Sequence, residues 1–163
     1  MTAVKPIKIT GIASLVLAIV FVLAGAVTWG MVTSQLRAEN INVPGDSSLL
    51  PGARVQGPVS AYAQAQIINE HALKATGGKT YAELGKLATE AEKAGDADAA
   101  AEYQKQRATI MNASFLRASL FTSVVAYGVA LLVIGLGFFI GLVGWSQLSI
   151  AKAVEARTEP AVE

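Results

Sequence analysis

The chain has no cysteine and only one histidine, His71. Without cysteine there can be no disulfide, no iron–sulfur ligand and no covalent c-type haem attachment. A lipid-modified N-terminal cysteine is excluded as well. A facial-triad iron site needs two histidines and a carboxylate, and a bis-histidine membrane haem needs two imidazoles within the spans. One histidine outside the apolar segments satisfies neither. Charge is also scarce, with 15% of residues charged against about 25% in an ordinary soluble domain. The net charge of +1 shows no bias toward nucleic acid, so no nucleic-acid partner is expected. No cofactor or metal is expected from this inventory.

Apolar residues make up 53% of the chain, and the excess lies in two blocks. The first runs from Ile12 to Val32 without a charge. The second, bounded by Arg117 and Lys152, carries no ionisable group except Tyr127. A helix needs about 20 mostly apolar residues to cross a bilayer, and both blocks reach that length. At about 1.5 Å per residue the second could extend to roughly 50 Å, so it tilts or emerges from the bilayer. Lys5, Lys8 and the small residues Ala24–Gly25–Ala26 also resemble a cleavable signal peptide. The apolar run continues through Trp29 and Val32, which favours an uncleaved signal anchor.

Lys5 and Lys8 before the first block, with Lys152 and Arg157 after the second, place both termini in the cytoplasm. Arg37, Lys105, Arg107 and Arg117 oppose this, but they lie on a long connection, which translocates largely regardless of its charge. Trp29 and Trp145 sit near the ends of the blocks, as membrane-interface anchors do. Neither block holds Asp, Glu, Lys, Arg or His, the residues of proton relays and ion pathways. Both do hold small residues at helix-packing spacing: Gly137 and Gly141 with Gly144 on one, Ser14 with Ala18 and Ala26 with Gly30 on the other.

The connection divides in two. Residues 38–58 hold Pro44, Gly45, Asp46, Pro51, Gly52, Gly57 and Pro58, so they are irregular. Helical spacing then begins, with Ala61, Ala65, Ile68, Ala72 and Ala75 on one face and Gly77–Gly78 as a stop. Thr80 to Glu83 is a capping-box signature, Gly95 ends the next helix, and Asp96 or Asp98 caps a third. No breaker separates that third helix from the second apolar block. Gly77–Gly78–Lys79–Thr80 imitates a phosphate loop, but Leu73 stands where the motif needs glycine. Asn112–Ala113–Ser114 matches a glycosylation acceptor inside a helix. His71 is expected to face solvent or a partner, with metal bridging to a second protein as the alternative.

The expected fold class is an all-α membrane protein with a helical extracytoplasmic insertion between two transmembrane helices. The expected division is a cytoplasmic N-terminus at 1–11, spans at 12–33 and 118–148, and a cytoplasmic tail at 149–163, which after Lys152 is expected to lack fixed structure. Between the spans, 34–117 holds helices at about 59–76, 80–94 and 98–117. The insertion is rich in alanine and poor in large apolar residues, so it is expected to lean on another protein.

The strings Ala13–Ser14–Leu15–Val16–Leu17–Ala18, Trp29–Gly30–Met31–Val32, Ala75 to Leu84 and Met111 to Leu120 resemble a family of small two-span actinobacterial membrane proteins. The similarity covers most of residues 11–145 and departs around 85–104. Some members carry an automated aromatic ring-opening dioxygenase label, which a single histidine contradicts. The resemblance implies an actinobacterial plasma membrane and carries over no catalytic residue. The functional expectation is a non-catalytic accessory or assembly subunit, in the bilayer with other integral membrane proteins. The respiratory cytochrome bcc–oxidase supercomplex is the candidate host. A stand-alone envelope receptor or regulator is the alternative.

Overall fold

The computed structural model describes residues 4–158. Four helices follow in order: α1 (Val4–Ala38), α2 (Pro58–Ala75), α3 (Tyr81–Lys93) and α4 (Ala97–Thr158). No strand occurs among the described residues; the only extended pairing is an isolated antiparallel bridge between Asn42 and Arg54. α1 and α4 are both long and apolar enough to cross a membrane. The chain divides into two compact units, one formed by residues up to Met31 and from Ala126 onward, the other by Val32–Val125.

Both long helices exceed the apolar blocks within them. α1 runs from Val4 to Ala38, past the apolar block at both ends. α4 has no break at Arg117 and, with 62 residues, is about 93 Å long. The tail, expected to lack structure, is helical through Thr158, and residues 159–163 lie outside the described residues. Helix formation is cooperative, and propagation from an established helix adds one hydrogen bond per residue. Nothing in Lys152–Arg157 interrupts it, and Lys8 Nζ on α1 pairs with Glu155 on α4 at 2.6 Å. Hydroxyls within the apolar stretches bond to carbonyls one turn back, Thr28 to Ala24 at 2.9 Å and Ser149 to Trp145 at 2.9 Å. Such local bonds satisfy a polar group without a partner helix.

The 32–125 unit has its own core. Ile67, Leu84, Val43 and Val55 are almost wholly buried, among them alanines 61, 63, 65 and 88. Val43 and Val55 belong to the breaker-rich segment, which folds back on itself. The Val43 amide donates to the Ala53 carbonyl and the Val55 amide to that of Ile41, both at 2.9 Å. Arg54 closes the base of this loop by donating to the Arg37 carbonyl at 2.9 Å and to Asn40 Oδ1 at 2.7 Å.

The helix boundaries follow from capping. Gly78, with φ of +78°, ends α2 by donating to the Leu73 carbonyl at 2.7 Å. At the start of α3, Thr80 Oγ1 accepts from the Glu83 amide while the Thr80 amide donates to Glu83 Oε2 at 2.8 Å. Of the two candidate caps for α4, Asp96 acts, accepting from the Ala99 amide at 3.0 Å. In the first turn of α2, Ser60 Oγ accepts from the amides of Gln56 and Gly57, just before the helix, at 3.0 and 3.1 Å.

Candidate functional site

Two features stand out from the helical framework: the seam between α1 and α4, and a cleft where α2, α3 and the first part of α4 meet.

In the seam, small residues recur every seventh position. Gly11, Ala18 and Gly25 are buried on α1, and Ala130, Gly137, Gly144 and Ala151 are buried on α4. A seven-residue period keeps one face of each helix toward its partner in a left-handed pair. The helices run antiparallel, and backbone meets backbone. A Cβ placed on Gly144 would lie 2.8 Å from the Gly11 carbonyl oxygen and 2.9 Å from Ser14 Cβ. One on Gly137 would lie 3.0 Å from the Ala18 oxygen, and one on Gly25 would lie 2.8 Å from that of Ala130. Gly141 is looser, since its added Cβ would meet Ala18 Cβ at 3.4 Å, an ordinary contact. Beside Gly137 and Gly141 an apolar groove of about 530 Å³ runs along the pair.

Gly137, Gly141, Gly144, Ser14 and Ala18 are therefore brought together, and what they face is the other helix of the same chain. Ala26 and Gly30 do not join them. Ala26 is exposed, and a Cβ on Gly30 would meet nothing within 4 Å. One position along a helix turns the side chain by about 100°, so Gly25 takes the place on the seam that Ala26 was expected to hold. Of the two tryptophans, Trp29 packs edge-on against buried Tyr127, with ring centroids 4.6 Å apart. Trp145 is 66% exposed.

The cleft encloses about 400 Å³ and is lined by residues that include Asn69, Ser114 and Arg117. Its floor is apolar: Ala72, Ile110 and Ala113 belong to the cluster around buried Leu84. Arg117 donates to Asn69 Oδ1 at 2.8 Å and lies 5.8 Å from the Phe121 ring, which packs edge-on against Tyr62. Its Nε is buried without a hydrogen-bond partner. Among the described residues no carboxylate forms an ion pair with Arg117 or with Arg107. Arg107 instead covers the ring of Tyr81, 4.2 Å from its centroid, in space that Gly85 leaves open.

His71, expected to face solvent or a partner, bonds within its own chain: its Nε2 lies 2.8 Å from Asp46 Oδ2. Both side chains stay about half exposed. Among the described residues no group of three potential metal ligands gathers there or elsewhere. The pair fastens α2 to the breaker-rich loop. The hydrogen bond from His71 is the main reason the Asp46 carboxyl is held below its ordinary 3.8, with smaller contributions from its own backbone and the charges of His71 and Lys74. Because the folded value is lowered, the contribution to stability is present above pH 3.8 and is lost as pH falls through that lowered value. Replacing His71 with alanine should move the Asp46 titration, followed by NMR of the carboxyl carbon, back up toward 3.8. An unchanged titration would show that the pair does not form. Glu83 is lowered in the same sense by its backbone and side-chain bonds with Thr80.

The pairing of Arg117 with Asn69 and of Asp46 with His71 was not marked out by the sequence, where Asp46 stands only among the breakers, because the partners lie far apart along the chain. Arg117 and Asn69 are 48 residues apart, and His71 and Asp46 are 25 apart. The one available signal for Arg117 was its place as the last charge before the second apolar block. No protein-family model, curated protein or solved structure matches this chain.

Proposed function

We propose that the chain is a non-catalytic accessory or assembly subunit of a larger membrane complex, in which α1 and α4 cross the plasma membrane and the unit between them lies outside the cytoplasm. The observation that carries this reading is the nature of the α1–α4 pair. Its seam is built from small residues in backbone contact, and the apolar blocks offer no carboxylate, amine or imidazole for a proton or ion pathway. Such a pair supplies an anchor. Its outward faces carry Ile19, Leu23, Phe138, Phe139 and Leu142, each at least 60% exposed. In a bilayer these are free to meet lipid or the helices of other integral membrane proteins. An actinobacterial respiratory supercomplex of the cytochrome bcc–oxidase type is the host we put forward, since such complexes recruit small accessory chains.

A second reading, an envelope receptor or regulator acting by itself, is favoured by the cleft at Arg117. Purification of the tagged chain from its native membranes in mild detergent, followed by mass spectrometry, separates the two. Stoichiometric membrane subunits recovered with the chain support the accessory role, and respiratory subunits among them identify the host. Recovery of the chain alone or as a homo-oligomer overturns the accessory role and leaves the receptor.

A further inference from the structure

The cleft beneath Arg117 combines two surfaces that suit one kind of ligand. Its floor of Ala72, Leu73, Ile110 and Ala113 is apolar. Arg117 stands on its wall with Ser114 and Asn69, and among the described residues no carboxylate pairs with the guanidinium. The Nε–H is both buried and unused. A ligand in the cleft would therefore meet the terminal nitrogens of the guanidinium, since Nε itself has no surface open to the cleft. The Asn69 bond and the Phe121 ring restrict where the guanidinium sits, so little side-chain freedom is left to lose on binding. Glu83 does not line the cleft; it is occupied with Thr80. At about 400 Å³ the space falls within the ordinary range of small-molecule sites.

We propose that this cleft binds an oxyanion joined to an apolar chain, with the phosphate or carboxylate on Arg117 and Ser114 and the apolar part over Ala72, Ile110 and Ala113. A guanidinium presents several donors in one plane, which matches the oxygens of either group. The same chemistry could come from an anionic lipid of the bilayer or from a soluble amphiphile in the surrounding water. The inference does not depend on whether the chain serves as an accessory subunit or a receptor.

The test uses the full chain in phosphatidylcholine nanodiscs, with calorimetric titration of hexyl phosphate, hexanol and inorganic phosphate. Hexyl phosphate should bind at least about tenfold more tightly than either half alone, because both surfaces contribute. Arg117→Gln should weaken it about tenfold or more, and Arg117→Lys by less. Ser114→Phe, which narrows the cleft while leaving the Arg117–Asn69 bond in place, should weaken it comparably. Native mass spectrometry from discs containing phosphatidylglycerol reads the lipid arm. Retained phosphatidylglycerol that Arg117→Gln releases supports the site and assigns it to the bilayer. Hexyl phosphate binding without retained lipid supports it and assigns a soluble ligand. Equal binding of hexyl phosphate and hexanol, or affinity for both probes unaffected by Arg117→Gln and Ser114→Phe, overturns the proposal. Circular dichroism of each variant separates lost binding from lost folding.

Discussion

Replacing Gly144 with alanine should loosen the α1–α4 pair by about 1–3 kcal/mol, the usual cost of forcing a methyl group into a filled interior. The new Cβ would come 2.8 Å from the Gly11 carbonyl oxygen, 2.9 Å from Ser14 Cβ and 3.1 Å from the Leu15 nitrogen. Two of those atoms are backbone, which cannot rotate aside as a side-chain tip can, so one helix must shift. Gly144→Leu should separate the pair further. Gly25→Ala should act in the same direction, for its Cβ would meet the Ala130 oxygen at 2.8 Å and Ile134 Cγ1 at 2.6 Å.

Gly141→Ala and Gly135→Ala set the scale. The first adds a methyl in ordinary contact with Ala18, and the second meets nothing within 4 Å, so each should stay within about 0.5 kcal/mol of the parent. Trp29 against Tyr127 gives a local reporter once Trp145 is changed to phenylalanine. Detergent-driven unfolding followed by its fluorescence would rank the five variants. If Gly144→Ala unfolds with the Gly135→Ala control, the close backbone approach does not exist in the membrane.

Much of the framework was legible because it rests on local chemistry. Gly77–Gly78, Thr80 with Glu83, and Gly95 with Asp96 each act within a few residues, and the helices stop and start where those residues stand. The seam was legible only in part. A search at spacing four finds Gly137 with Gly141 on α4 and Ser14 with Ala18 on α1, but on α1 it also selects Ala26 with Gly30, which lie off the contact. The contact follows a spacing of seven, through Gly11, Ala18 and Gly25, because an antiparallel pair must hold one face together over several turns. The core around Ile67 and Leu84 was underestimated from composition. Closely spaced alanines let helices approach, and a few larger side chains then suffice to fill the space between them. The Arg117–Asn69 and His71–Asp46 pairs are tertiary, and no local period records them.

The proposed function requires α1 and α4 to cross a membrane with the 32–125 unit on its outer side. The absence of cysteine makes this directly measurable, since any introduced thiol is the only one present. Ala94 and Ala153 are both exposed, the first just beyond α3 and the second in the last turns of α4. Alanine-to-cysteine changes at these positions alter no buried contact, and an impermeant maleimide added to intact cells reads which side of the membrane each occupies. The lysines before the first apolar block and Lys152 with Arg157 after the second set the expected orientation. The Ala94→Cys variant should label in intact cells, and Ala153→Cys should label only after the cells are opened. Labelling of Ala153→Cys in intact cells, or protection of Ala94→Cys, would contradict the account.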